Sequence, residues 1–469
     1  MTADAPADYS ARSRRLVQLV AGLGSVIAPF LVASMFVAAP TIGEDLGADV
    51  SALGWLTAAF FLAAASLLIP FGRIADVKGS KKVFAAGMAV YVMSAALCAL
   101  APDMAVLIIG RGLTGMGAAM VFGTSIALIS LVFPEDLRGK AIGLNVTVVF
   151  AGFSVGLLAG GLLTFYIGWR ALFAIAAALA AANLLLLISK VRGECELSRE
   201  RGYDPVGMVL FAGGLLLVFF GLSEVTSDVG LWSLAVGGAI VLILLIWEHR
   251  HPRPIIGRGL TRNGRFRLAI ATNVVFQAGS FALPFLLSLY SQIGLGLDPP
   301  EAALILLVPQ VLMTAASSIS GRWMARTGDY ALTASGAAIN VLGLVVLLLP
   351  GALSVPLMIV SLALTGVGIG LFMPALVDWA MGSIERRDYG VASAMTETAR
   401  LLGMTVSNVV LILVINILAG AESVQQAGGT LPEAVQLCAL IYLTLSAAVV
   451  AMSMAGKGEG RRRRTLRRP

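Results

Sequence analysis

The sequence predicts an all-α integral membrane protein with fourteen membrane-spanning helices, and three observations carry that reading. First, 58% of the residues are hydrophobic and only 13% are charged, against about one quarter charged in a soluble domain. A surface so poor in charge belongs in lipid. Second, apolar runs of about 18 or more residues recur along the chain, each long enough to cross roughly 30 Å of hydrocarbon. Continuous runs of this length exclude the alternating strands of a barrel, so helices must satisfy the backbone. Third, 30 of the 33 Lys and Arg residues fall in the two terminal tails and in alternate connections.

The spans follow in order. Span 1, about 16–39, comes after Arg12, Arg14 and Arg15, and is too long for the apolar core of a secretory leader. It is read as an uncleaved helix ending at Pro40. Span 2 (53–72) leads into a tight polar loop, Gly72–Lys82, which holds Asp76, two glycines seven apart and four basic residues, before span 3 (83–101). Span 4 (104–132) carries Arg111 about seven residues in, and span 5 (141–167) carries Gly152, Gly156, Gly160 and Gly161. Span 6 covers 170–189. Spans 7 (205–224) and 8 (229–247) hold few polar residues and are expected to face lipid. Span 9 (267–290) places Asn273, Gln277 and Ser280 before Pro284. Spans 10 (301–324), 11 (331–350) and 12 (356–380) follow, with Asp378 near the end of span 12. Span 13 (390–419) contains Glu397 and Arg400, three apart on one face, and span 14 (433–454) precedes the basic tail.

The charge distribution fixes a topology. With a cytoplasmic N-terminus, only Arg170 lies outside, while Arg111 and Arg400 fall within spans. Both termini are then cytoplasmic, in a multi-pass protein of the cell membrane. The tail bearing Arg461–Arg464, Arg467 and Arg468 suits anionic lipid headgroups rather than nucleic acid.

The chain repeats itself. Gly72 and Gly79 recur as Gly321 and Gly328 at an offset of 249, and Gly115 and Gly117 recur as Gly366 and Gly368 at 251. Gly152 recurs as Gly403, again at 251. The organisation is a tail (1–15), a six-helix bundle (16–190), loops with two inserted helices (191–265), a second six-helix bundle (266–455) and a basic tail (456–469). Parallel halves of this kind rock about a site near the middle of the membrane.

Several chemistries are excluded. Cys98, Cys195 and Cys438 are scattered, and the only histidines, His249 and His251, share one polar loop, so there is no metal-ligand spacing. No nucleophile elbow or phosphate-binding loop is present, so neither an enzyme nor an ATP-driven pump is expected, and no cofactor.

With these motifs in view, the chain resembles the major facilitator superfamily, and within it the fourteen-span drug:proton antiporters. The likeness covers almost the whole chain. It implies a major-facilitator fold and a monomeric carrier for a small organic substrate, coupled to protons. Gly72, Asp76, Gly79, Lys81 and Lys82 match the family's latch on the cytoplasmic side; the alternative is that the lysines merely anchor topology. Arg111, Thr114 and Gly115 match its span-4 motif, which implies a cavity-facing Arg tied to coupling; a structural Arg bonded to carbonyls is the alternative. Thr114 stands where the family pattern has Gln. Gly152, Gly156, Gly160 and Gly161 match the span-5 antiporter motif, with Leu157 replacing its Pro, and would serve close helix packing equally well. Trp55, Tyr290, Gln292 and Pro309 also fit.

Span 1 departs from the family. Counting back from Pro40, the position of the antiporters' Asp holds Leu31. Glu397 beside Arg400, or Asp378, could stand in as cavity groups, or could form a static pair and an interfacial acid. Asn273, Gln277 and Ser280 are substrate-lining candidates, with helix–helix bonding as the alternative. The partner of the latch holds Ala325 where Asp76 would fall, so an acidic latch is expected in the first half alone. Three functions stay open: an exporter of hydrophobic or amphipathic compounds driven by proton antiport, an uncoupled facilitator or uptake carrier, and a membrane regulator without transport.

Overall fold

A computed structural model describes residues 11–191, 204–225, 227–250, 263–351, 353–382, 384, 389–418 and 429–466. Cys195, His251, Arg467 and Arg468 lie outside them. Helices α1 (Ala11–Leu46), α2 (Val50–Lys78), α3 (Ser80–Ala99), α4 (Met104–Val132), α5 (Glu135–Tyr166) and α6 (Arg170–Lys190) form the first bundle. The inserted pair is α7 (Pro205–Ser223) and α8 (Asp228–Arg250). The second bundle opens with α9, built of Gly264–Ala278, Leu283–Leu289 and a π-helical turn, Tyr290–Gly294. It continues with α10 (Pro299–Thr327), α11 (Asp329–Val346), α12 (Val355–Met381), α13 (Tyr389–Leu418) and α14 (Leu431–Leu466). Among the described residues, fourteen spans are long and apolar enough to cross a membrane. An even number puts the start of α1 and the finish of α14 at one end, called here the terminal end; the other is the far end.

Helix starts follow from their sequence. Asp49, Asp103 and Asp204 accept from the amides of Ala52, Val106 and Gly207 at 2.7, 2.8 and 3.0 Å, closing the first turns of α2, α4 and α7. Glu301 returns to the Asp298 amide to box the start of α10.

Within the first bundle α1 packs on α4, α5 and α6, α2 on α4, and α3 on α4 and α6. In the second, α9 packs on α13 and α14, α10 on α12, and α11 on α12 and α14. The sequence repeat recurs in this packing. A Cβ at Gly115 would lie 2.2 Å from the Phe60 carbonyl oxygen, and one at Gly366 would lie 2.4 Å from that of Pro309. Gly117 faces the Gly87 carbonyl, and Gly368 faces that of Gly336. Small residues thus set the helix separation inside each bundle.

Four details differ from the sequence expectation. The polar segment Gly72–Lys82 is not a loop: α2 continues to Lys78, and the turn is Gly79 alone, at φ 97°. Gly328 does the same between α10 and α11 at φ 84°. Only glycine adopts such a φ without strain. Helix α1 passes through Pro40 to Leu46. Span 9 is broken between Ala278 and Leu283, just before Pro284. Finally, α7 does not simply face lipid. It packs on α2 and α13, whereas α8 presents Leu231, Trp232 and Leu242, more than half exposed.

Candidate functional site between the two bundles

The two bundles meet at the far end. Thr57 of α2 donates to Asn408 Oδ1 of α13 at 2.7 Å, and both side chains are fully buried. One turn further toward the far end, Gly54 lies against Ile412. On the other side, Gly161 of α5 faces Ala303 and the Pro299 carbonyl of α10. Between these seams, Gln292 in the π-helical turn donates to the Val37 carbonyl of α1 at 3.0 Å. Phe281, in the break of α9, sets its ring 5.7 Å from Phe36 and 4.8 Å from Phe61. Phe285 and Phe153 close on Phe36 at 5.6 and 5.8 Å. Rings from α1, α2, α5 and α9 therefore form one apolar plug across both bundles.

The break in α9 is built into the second bundle. A chain bend at membrane depth is tolerated where other helices satisfy its backbone. Ser407 of α13 accepts from the Ala282 amide at 3.0 Å, and Ser446 of α14 donates to the Gly279 carbonyl at 3.3 Å. Asn340 of α11 donates to both Ser280 and Ser446.

Glu397 and Arg400 pair on α13. The Arg400 Nε lies 2.9 Å from one carboxylate oxygen, and a terminal nitrogen meets the other. The side chains are 36% and 26% exposed. Gly403, packed on Val274 and Gln277, marks the α9-facing side of α13, and Asn408 marks its α2-facing side. At 3.6 residues per turn, Glu397, Arg400 and Met404 fall between those directions, toward the other bundle. The pair lies on the terminal side of the Thr57–Asn408 bond and is partly exposed.

The other sequence candidates are distributed differently. Arg111 is fully buried: its Nε donates to the Leu56 carbonyl at 2.8 Å, and its guanidinium sits 5.0 Å from the Phe60 ring centre. Thr114 bonds back to the Arg111 carbonyl. Asn273, 1% exposed, donates to the Thr396 carbonyl at 2.9 Å, and Ser280, 4% exposed, is held by Asn340. Gln277 is 5% exposed and packs its Cβ against Gly403. Asp378 lies exposed in the last turn of α12. Lys81 donates to the Val191 carbonyl at 2.6 Å, at the C-terminal end of α6, within its own bundle. Asp76 is partly buried in the last turn of α2. Leu31 is fully buried in the core. Gly152, Gly156 and Gly160 pack on Val26, Phe30 and Ser34 of α1, and Ser34 donates to the Gly156 carbonyl at 2.9 Å. Ala325 lacks an acid, but Asp329, one residue past Gly328, binds Arg265 of α9 at 2.5 Å.

Sequence reasoning missed Thr57, Asn408 and the phenylalanine plug. Their partners lie hundreds of positions away, and isolated Thr, Asn and Phe in apolar spans carry no spacing signal.

The comparisons agree with this architecture. The Major Facilitator Superfamily profile matches residues 21–408. The multidrug resistance protein Stp of Mycobacterium tuberculosis is 29% identical over 410 residues, covering 85% of this chain and 75% of its own. A probable actinorhodin transporter of Streptomyces coelicolor is 29% identical over 434 residues, covering 87% and 73%. Among solved structures, the human organic anion transporter MFSD10 superposes with a TM-score of 0.63 at 16% identity, covering 94% of this chain and 99% of its own. With two glycine-packed bundles meeting across a seam and a profile match over most of its length, the chain belongs to the Major Facilitator Superfamily and is a multi-pass membrane transporter.

Proposed function

We propose that the protein exports hydrophobic or amphipathic organic molecules by alternating access, with both termini in the cytoplasm. The observation that carries this reading is the one-sided closure. Thr57–Asn408, Gln292–Val37 and Gly161–Ala303 join the bundles at the far end, while the Glu397–Arg400 pair on the terminal side stays partly open. Repeated bundles that rock about a central site pass through such a state. The placement of 30 of 33 basic residues supports a cytoplasmic terminal end, which makes this the cytoplasm-open state. Asp76 beside the Gly79 turn then belongs to the latch that closes when the plug parts. The multidrug resistance named for Stp supports the direction, and the organic molecule named for the actinorhodin transporter supports the substrate class.

Flux of a lipophilic cationic dye in proteoliposomes, with and without an imposed pH step, tests this. Dye flux that follows the step, and loses that dependence in Glu397→Gln, supports proton antiport. Absence of flux in the wild type would sink the carrier reading. A second reading, an uncoupled facilitator, is favoured by Leu31 at the antiporters' Asp position and by Arg400 already engaging Glu397. Flux indifferent to the pH step selects it.

A further inference from the structure

The two seams between the bundles are not equivalent. On the α2–α13 side, α7 lies along the seam. Its Phe219 joins Leu62 of α2 and Val409 of α13 in one cluster, with Leu402 and Val406 against it. Glu224 at its far end accepts from the Trp55 indole at 3.2 Å. Toward the terminal end, Met208 and Phe211 cover Ile69 and Ile74 of α2. The inserted helix therefore covers this seam from Trp55 to Leu402 and continues along α2 toward the terminal end.

Among the described residues, neither α7 nor α8 packs in this way on the α5–α10 side. The stripe of α5 that faces α10 runs from buried to open. Gly161 and Leu157 are buried at the far end, Phe150 is 43% exposed, and Thr147 is exposed. The facing stripe of α10 behaves alike: Ala303 is 1% exposed, Gln310 is partly buried, and Thr314 is exposed. The helices therefore splay toward the terminal end. Their hydroxyls also need no outside partner. Thr147 donates to the Gly143 carbonyl, Ser154 to Phe150, Thr314 to Gln310 and Ser318 to Thr314, each one turn back along its own helix. Such back-bonded hydroxyls can face hydrocarbon without an unsatisfied donor. The hydroxyls of the splayed seam are thus compatible with lipid.

We propose that the α5–α10 seam is the lateral portal through which membrane-partitioned amphipathic molecules reach the Glu397–Arg400 level from the terminal-side leaflet. The inserted α7 closes the opposite seam, so access is one-sided. The proposal rests on the carrier reading above.

A carbene-generating hydrophobic photoprobe dissolved in the bilayer, with the adducts mapped on the wild-type protein, tests the opening directly. Adducts on Phe150 and Thr314, with Leu62 and Val406 unmodified, are expected. An unlabelled α5–α10 stripe, or equal labelling of the α2–α13 seam, overturns the portal. In proteoliposomes, the seam-filling variants Thr147→Trp and Thr314→Trp are expected to lower flux of the lipophilic dye by roughly tenfold, while Val236→Trp on the exposed face of α8 leaves it unchanged. Unchanged flux through a filled seam overturns the route alone. A wild type without flux removes the carrier reading and the route with it. Since the labelling arm needs no substitution, misfolding of a Trp variant leaves the test intact.

Discussion

Gly160 and Gly161 are consecutive in α5 but face different bundles. A Cβ on Gly160 would meet the Cα of Ser34 in α1 at 2.8 Å, and a Cβ on Gly161 would meet the Cβ of Ala303 in α10 at the same distance. Successive helical residues point about 100° apart, so one helix turns a contact within its bundle into a contact between bundles. The glycine ladder of α5 is therefore two devices. Gly152, Gly156 and Gly160 fix α5 on α1, and Gly161 lets the far end close.

This separation gives the first prediction. Gly160→Leu overpacks the α1–α5 contact and lowers stability by about 1–3 kcal/mol, read as a reduced melting temperature in detergent. Gly161→Leu leaves that contact alone and opposes far-end closure. Spin labels at Tyr166 and Glu301, both exposed at that end, are expected to move to longer separations in Gly161→Leu and not in Gly160→Ala. Identical distance distributions in all three proteins would remove Gly161 from the gate.

The Thr57–Asn408 bond gives the second. Thr57→Val removes the donor and leaves a buried amide oxygen without a partner, which costs about 1–3 kcal/mol. That cost falls on the far-end-closed state, where the two residues meet. The spin-label pair should therefore shift toward the open distance in Thr57→Val and shift back when Asn408→Leu is added, because the double variant buries no orphan group. Additive behaviour in the double-mutant cycle would mean the two residues do not act through each other.

The break in α9 supplies the third. Ser407→Ala deprives the Ala282 amide of its acceptor, and Asn340→Leu removes the donor shared by Ser280 and Ser446. Each change is expected to cost about 1–3 kcal/mol in the second bundle. Hydrogen exchange at Ala282 should accelerate in Ser407→Ala and stay slow in a variant of the first bundle such as Asn183→Leu. Unchanged protection at Ala282 would show that the bend does not depend on Ser407.

Much of this architecture is legible in the sequence, and the losses have physical causes. Apolar runs locate spans because lipid admits only satisfied backbone. They do not locate helix ends, since a helix can outlast the hydrocarbon; Gly72–Lys78 is polar and still helical. The glycine repeat at offsets 249 and 251 survives as paired close contacts because each glycine is required by its neighbour. The break in α9 was not legible. Pro284 signals a disturbance, but its position depends on Ser407 and Ser446 standing opposite. Asn273 and Ser280 read as substrate groups for a related reason. A polar side chain in a span needs a partner, and sequence cannot tell a ligand from the Thr396 carbonyl or Asn340. Glu397 and Arg400 were legible as a pair because their spacing alone places them on one helix face.

That pair carries the last prediction. With side chains 36% and 26% exposed, it lies between a surface pair, worth about 0–1 kcal/mol, and a buried one, whose disruption costs about 3–5 kcal/mol. Single substitutions should therefore leave the protein folded while changing the charge presented between the bundles. Arg400→Gln leaves the Glu397 carboxylate uncompensated and should favour a cationic dye over an anionic one of similar size. Glu397→Gln leaves the guanidinium and should favour the anionic dye. At the effective dielectric near a partly open site, one unit charge about 4 Å from a ligand charge is worth about 4 kcal/mol before salt and water screen it. A net shift of about tenfold in the ratio of dye fluxes is thus a modest expectation. The two variants should move that ratio in opposite directions, and added salt should shrink both shifts. A merely structural pair predicts something else: both variants lose flux of both dyes together, in step with a fall in melting temperature. The flux ratio separates these outcomes even where each variant is partly impaired, because a loss of folded protein cancels from it and a change of charge does not.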